Sequence, residues 1–183
     1  MVAMKLAQRK LSLSRVYGLL EPGPVVLLAT AHGGRENVMA MSWLTMMEFE
    51  PPLVGCVVSG RNWSFDLLSA AKSCVIAIPP ASLARSVVGV GNCSGRRVDK
   101  FAKFGLTRLP ASRVDAPLVA ECVANLECRV HDARLVDRYN FFILKVVAAW
   151  AVPGVASRRT LHHRGRGVFF ASGRPMKLPS RMK

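Results

Sequence analysis

Short apolar runs separated by proline, glycine and polar residues dominate this chain. Residues 25–31 form a near-continuous apolar run, and a Gly33-Gly34 turn then returns the chain, so these positions predict a hairpin. Residues 122–131 alternate apolar and polar positions, which predicts a strand with one buried face. The strands predicted from these patterns cover residues 25–31, 36–45, 53–58, 74–78, 122–131 and 139–152.

Shorter stretches between the strands have helical spacing. Predicted helices cover residues 4–20, 64–72 with Ser64 as N-cap, 81–88, and 98–104 with Gly105 as C-cap. The glycine-rich stretch 89–97 is predicted to be the most flexible part of the chain. Strands with short inserted helices favour a mainly β barrel, or an α+β barrel, because a parallel sheet needs longer and more regular crossovers.

The polar turn at residues 59–64 is the most suggestive local feature. It places hydroxyls, an amide and the Arg61 guanidinium directly before an apolar-periodic stretch. Free N–H groups and the dipole at a helix start favour an anion there. An ordinary hairpin followed by a capped helix accounts for the same residues, so both interpretations stay open.

Length and composition limit the function classes. The 183 residues suffice for one domain, residues 1–183, and a 51% hydrophobic content excludes a disordered chain. No apolar run reaches membrane-spanning length, so no membrane association is expected. The basic segment 1–18 lacks a continuous apolar core and a cleavage site, so cytoplasmic location is the default expectation.

The net charge of +15 is concentrated at the two ends of the chain. Residues 1–20 and 138–183 contain basic but no acidic side chains, whereas the middle of the chain is nearly balanced. No zinc-finger spacing or aromatic RNP-like strand accompanies this charge, so specific nucleic-acid binding is not expected. We predict an N-terminal helical extension over residues 1–20 and a basic tail over residues 173–183, whose role the sequence does not assign.

Residues with obvious catalytic or metal chemistry are scarce. Four of the five cysteines lie in apolar runs and predict buried thiols in a reducing compartment, whereas Cys93 lies in a glycine-rich turn. The GxGxxxG spacing that starts at Gly89 is a weak match to a dinucleotide fingerprint. His162 and His163 have no nearby Cys, Asp or Glu, so no metal site is expected. If the protein is an enzyme, a cofactor therefore supplies the difficult chemistry.

An ordered series of short motifs resembles the flavoredoxin-type branch of the flavin reductase-like FMN-binding proteins. The motifs span about residues 20–172, and their order makes the similarity specific. They are Asn37-Val38-Met39-x-x-Ser42-Trp43, Pro51-Pro52-Leu53-Val54, Ser94-Gly95-Arg96-x-x-Asp99-Lys100-Phe101, Gly105-Leu106-Thr107, Ala116-Pro117-Leu118, Leu126-Glu127-Cys128 and His163-x-Gly165-x-Gly167.

The resemblance implies an FMN-binding split barrel that forms a homodimer. It implies a flavin ring along Ser42, Trp43, Leu44 and Thr45, and a phosphate against Ser59, Arg61, Asn62 and Ser64. It also brings the segment with Ser94 and Lys100 close to the flavin, with Asp99 as a local cap. Ring contacts from Tyr139 or Asn140, and closure of the site by His162 or His163, are further hypotheses.

The function that follows from the resemblance is oxidoreduction. NAD(P)H as co-substrate is expected to deliver hydride to FMN, which passes electrons to an acceptor that the sequence does not identify. The alternatives are an FMN-binding electron carrier without efficient NAD(P)H oxidation, and a basic polyanion-binding module without flavin.

Overall fold

The computed structural model describes residues 9–13, 24–165 and 167–179. Its centre is an antiparallel eight-stranded sheet in the order β3-β2-β6-β9-β10-β5-β4, with β1 beside β10. Strand β3 lies at one edge of this path and β4 at the other. The strands of the sheet are β1 Arg9–Lys10, β2 Val26–His32, β3 Arg35–Met41, β4 Leu44–Phe49, β5 Pro52–Val57, β6 Ser73–Ile78, β9 Ala124–Asp132 and β10 Phe141–Ala151.

Short helices and two small strand pairs lie outside this sheet. Strand β7 pairs with β8, and β11 pairs with β12 to form a C-terminal hairpin. These elements are α1 Trp63–Ala71, α2 Ala84–Gly91, α3 Lys100–Lys103, α4 Val136–Tyr139, β7 Arg108–Leu109, β8 Leu118–Val119, β11 Leu161–Gly165, β12 Val168–Ala171 and the 3-10 turns Ala81–Leu83 and Val155–Ser157. Among the residues described, no helix combines the length and apolar character needed to cross a membrane.

Two apolar clusters explain why several strands are apolar on both faces. In β2, Leu28 packs into an inner cluster, whereas its neighbour Leu27 belongs to an outer cluster that also contains Val87 and Phe101 of helices α2 and α3. Side chains that alternate along a strand point to opposite faces, so both faces of β2 are covered. The expected mainly β class is confirmed.

The prediction of one strand over residues 36–45 is wrong. Strand β3 ends at Met41, which pairs with Val26 at the start of β2, so its partner strand offers no further residues. After Ser42 and Trp43 the chain enters β4, which pairs with β5 at the opposite edge of the sheet. One apolar stretch therefore supplies both edges of the sheet.

Helix positions differ from the prediction in three places. Helix α2 continues through Gly91, so the start of the stretch predicted to be flexible is helical. Gly89 lets the Phe104 ring pack closely against this helix, because a Cβ there would overlap the ring. Tyr139 ends helix α4, and Asn140 adopts φ of 54°, so β10 begins only at Phe141.

The third difference concerns the N-terminal segment. Most of the predicted helix over residues 4–20 lies outside the described residues. Where the segment is described, Arg9–Lys10 forms strand β1 against Trp150 and Ala151 of β10, so the helical extension predicted for residues 1–20 is wrong there. Residues 173–179 of the basic tail form no regular element.

Strand β9 is buried more fully than its alternation predicts. Asn125 and Glu127 on the polar face are completely buried, so both faces of the first half of β9 are covered. The predicted alternation from residue 122 onward puts Cys122 and Cys128 on one face of the strand. That placement is wrong, because Cys122 precedes β9 and packs in the outer cluster, whereas Cys128 packs in the inner one. The four cysteines expected to be buried are buried, and Cys93 is partly exposed.

Candidate functional site

A polar pocket of about 240 Å³ lies where β3, the start of α1 and the segment after α2 meet. It brings together five of the residues predicted to bind the cofactor, namely Arg61, Asn62, Ser64, Ser94 and Lys100. None of the described residues that line it is acidic. The remaining lining residues are Asn37, Met39, Trp63, Gly91, Asn92, Cys93 and Gly95.

Ser64 lies at the floor of the polar pocket and is fully buried. Its predicted role as N-cap is wrong: Asn62 occupies the cap position, without a side-chain capping hydrogen bond. The Ser64 hydroxyl instead accepts a hydrogen bond from Asn37 Nδ2 at 2.8 Å. The helix start therefore faces the pocket without a side-chain cap, and its dipole favours negative charge there.

Asn37 presents an acceptor that the described residues leave unpaired. Its Oδ1 is buried and has no hydrogen-bond partner among them. Buried amide oxygens normally have a partner, so this atom indicates a missing donor. Gly95 closes over it, because a Cβ at Gly95 would overlap Asn37 Oδ1 and come within 3.1 Å of Trp63 Cε3.

Lys100 supplies positive charge from within the protein. It is buried at the start of α3, and its Nζ donates a hydrogen bond to Val90 O at 2.9 Å. Burial lowers the pKa of Lys100, and the nearby Cys93 opposes that shift. Arg61 adds an exposed guanidinium at the rim, which has no carboxylate partner among the described residues.

The helix that carries Lys100 is fixed by Asp99. As predicted, Asp99 is a local cap: its Oδ1 accepts from the N–H groups of Phe101 and Ala102 at 3.0 and 3.2 Å. Arg108 Nη2 also donates to this carboxylate at 2.8 Å, and it is the main reason why the pKa of Asp99 is lowered. Asp99 therefore positions Lys100 without lining the polar pocket.

An apolar pocket of about 360 Å³ adjoins the polar one, and Gly91 and Asn92 line both. Of the four residues predicted to lie along the flavin ring, Ser42 lines this second pocket. From the β11–β12 hairpin, His163 lines the pocket with its ring 4.7 Å from that of Phe169. The other lining residues are Val25, Ala40, Met41, Val87, Val88 and Gly167.

The other predicted residues lie elsewhere. Trp43 is 70% exposed and Thr45 is exposed, whereas Leu44 packs against the inner cluster. Ser59 Oγ accepts from Arg61 N at 3.3 Å and so stabilises the turn without lining either pocket. The two pockets described above are therefore lined by none of these four predicted residues, namely Trp43, Leu44, Thr45 and Ser59.

The remaining hypotheses from the sequence also differ in outcome. Tyr139 is exposed at the end of α4, and neither it nor Asn140 lines the two pockets. His162 is buried and stacks on Phe170, so His163, not His162, faces the apolar pocket. The sequence already showed Asn37 as an amide in an apolar strand, but only folding brings it against Ser64 and Gly95.

Comparison with known proteins identifies the family. Residues 19–170 match the family described as Flavin reductase like domain. The chain belongs to this family. The resemblance drawn from the sequence motifs is therefore confirmed. The Escherichia coli protein YddH is 34% identical over 170 residues, which cover 85% of this chain and 90% of YddH.

Solved structures share the fold. An FMN-binding domain of a flavin reductases-like enzyme from Shewanella baltica superposes with a TM-score of 0.88 at 26% identity, covering 96% of this chain and all of that one. Flavoredoxin of Desulfovibrio vulgaris gives a TM-score of 0.75 at 22% identity, covering 85% and 90% of the two chains. This flavin reductase-like domain is therefore a split barrel, as predicted.

Proposed function

We propose that this flavin reductase-like protein binds FMN across the polar and apolar pockets. The observation that carries the proposal is the polar pocket, whose described lining residues include no acid and in which Lys100, Arg61 and the start of α1 converge. Cationic groups, hydroxyls and a helix start are the donors that a phosphate prefers. The FMN-binding Shewanella baltica domain supports the same cofactor.

The described residues fit the parts of this cofactor. Lys100, Arg61 and the hydroxyls of Ser64 and Ser94 would hold the phosphate. The unpaired Asn37 Oδ1 would accept from a hydroxyl of the ribityl chain. The adjoining apolar pocket, closed by His163 and Phe169, would exclude water from the flavin ring.

The reaction proposed is oxidoreduction with NAD(P)H as the hydride donor and a separate electron acceptor. FMN supplies the redox chemistry when bound, because its ring takes up a hydride and passes electrons on. Among the described residues that line the apolar pocket, His163 is the one titratable side chain. The protein therefore contributes position, charge and exclusion of water rather than a paired acid and base.

We also propose a homodimer formed through the β4 edge. Met47 and Phe49 of this edge strand, and Trp43 directly before it, expose large apolar side chains, and Tyr139 is a further exposed aromatic residue. Unpaired edges and clustered exposed apolar side chains are features of surfaces that associate. Sedimentation equilibrium should give twice the 19.9 kDa chain mass. A monomeric mass would contradict this part of the proposal.

An absorption spectrum tests the function directly. The purified protein is mixed with FMN, separated from free cofactor, and then given NADH or NADPH under nitrogen. We expect a bound-flavin spectrum that bleaches on addition of a nicotinamide nucleotide. A spectrum that stays oxidised would identify an electron carrier instead, and failure to retain FMN would overturn the proposal.

A further inference from the structure

A larger, open groove of about 680 Å³ continues from the polar pocket, and Trp63 and Gly95 line both. We call it the arginine groove. Its volume lies within the range of small-molecule sites, ~300–1,000 Å³. The residues that line it are Gly34, Arg35, Glu36, Trp63, Gly95, Arg96, Arg97, Val98, Asp99 and Arg108.

One arginine of this groove is already neutralised. Arg108 donates to Glu36 at 2.6 Å and to Asp99 at 2.8 Å, and its guanidinium lies 4.2 Å from the centroid of the Phe101 ring. These contacts fix Arg108 as part of the wall. They also occupy the two carboxylates that line the groove.

Two of the other arginines leave positive charge unbalanced. Arg35 and Arg97 are exposed and have no carboxylate partner among the described residues. Arg35 follows the β2–β3 turn, and Arg97 lies in the segment between α2 and α3, so they approach the groove from two separate parts of the chain. Such an arrangement favours a phosphorylated ligand, since guanidinium groups bind phosphate oxygens in pairs.

The shared wall offers a surface for a planar base. Arg96 lies over the Trp63 ring at 5.8 Å and also pairs with Asp66. Indole and guanidinium planes both stack on nucleobases. The groove thus combines two unpaired cations with a flat aromatic wall, next to the pocket assigned to the FMN phosphate.

We propose that the arginine groove binds a phosphorylated adenosine. This inference rests on the proposed function, which places a flavin phosphate in the adjoining polar pocket. Two sources of the ligand share this chemistry: the adenylate half of FAD, which extends beyond the flavin phosphate, and the adenosine half of NADH or NADPH.

The first test measures binding of 5′-AMP to the FMN-loaded protein by calorimetry. The double variant Arg35→Ala/Arg97→Ala should bind 5′-AMP at least ~10-fold more weakly, because each arginine supplies a charge-assisted hydrogen bond. Arg85→Ala, which removes an exposed arginine of α2 away from the groove, should leave this affinity unchanged. Unchanged 5′-AMP affinity in the double variant would overturn the inference.

Two further measurements distinguish the sources of the adenosine. A selective loss of FAD affinity in the double variant, with FMN affinity retained, assigns the groove to FAD. A raised KM for NADH or NADPH, with kcat and FMN affinity retained, assigns it to the nicotinamide nucleotide. Effects on neither would overturn the inference. If the protein retains no FMN, the proposed function fails, but 5′-AMP binding to the free protein still tests the groove.

Discussion

Lys100 gives the sharpest test of the polar pocket. Replacing it by methionine removes the ammonium group but keeps a long apolar side chain at a buried position. A hydrogen bond to a charged group contributes about 1.5–3 kcal/mol, so FMN affinity should fall roughly 10- to 150-fold. Riboflavin lacks the phosphate, and its affinity should therefore be the same in both proteins.

The assay is a fluorescence titration of FMN and of riboflavin against the wild-type protein and the Lys100→Met variant. The four dissociation constants form a cycle whose interaction free energy isolates the contact between Lys100 and the phosphate. Lys103→Met is the matched control, because Lys103 lies on the same helix and is exposed, with its Nζ 5.7 Å from the centroid of the Phe104 ring.

Loss of protein stability has to be separated from loss of binding. Methionine cannot donate to Val90 O, which costs about 1 kcal/mol, but the variant no longer buries an ammonium group. The melting temperature without ligand should therefore shift by no more than ~4 °C. An equal loss of affinity for FMN and riboflavin, or no loss for either, would refute the assignment of Lys100 to the phosphate.

Three further changes test other parts of the molecule. Arg61→Ala should weaken FMN binding by about 1.5–3 kcal/mol in the same titration, and an unchanged dissociation constant would contradict the phosphate contact. Gly95→Ala should destabilise the fold by about 1–3 kcal/mol and weaken FMN binding, since its Cβ would overlap Asn37 Oδ1; urea unfolding and a titration measure both. Glu127→Gln should cost about 2–5 kcal/mol in urea unfolding at neutral pH, because an amide N–H would face donors such as Trp150 Nε1, now 2.7 Å from the carboxylate. Burial raises the pKa of Glu127, but these hydrogen bonds outweigh it and the pKa is lowered; its stabilisation is therefore present above the unfolded-state pKa and is lost as pH falls through the folded-state pKa. A deficit in the variant that does not shrink in acid would contradict this account.

The buried carboxylate of Glu127 shows how far local patterns reach. The alternation along β9 predicted that the Glu127 side chain lies on the polar face. This is correct, because Glu127 lies on the face opposite that of Leu126, which packs in the inner cluster. Its burial depends on Ser112 and Arg113, whose N–H groups donate to it from a loop 15 and 14 residues earlier in the chain, respectively. That loop lies outside the few neighbouring residues from which the strand pattern is read.

The residues of the candidate site also differ in how the sequence revealed them. Arg61, Asn62 and Ser64 lie within four residues of one another, and a polar turn before a helical pattern was enough to propose an anion site there. Lys100 entered through its place in a longer motif shared with the family. Trp43 and Thr45 entered through the same resemblance; their side chains are exposed and line neither pocket, so their assignment to the flavin ring stays a prediction.

The sequence by itself determined the strand-rich class and the buried thiols, because both follow from the spacing of neighbouring residues. The family and the cap at Asp99 came instead from the resemblance carried by an ordered series of motifs along the chain. Only the tertiary structure decided that residues 35–49 supply both edges of the sheet, since strand pairing depends on which partner still has free positions. It also decided that Asn37 meets Ser64 and Gly95, and that Arg35 and Arg97 share one groove. Those contacts join segments that are distant in the chain. They form only when the strands of the sheet pair through hydrogen bonds and both apolar clusters become buried.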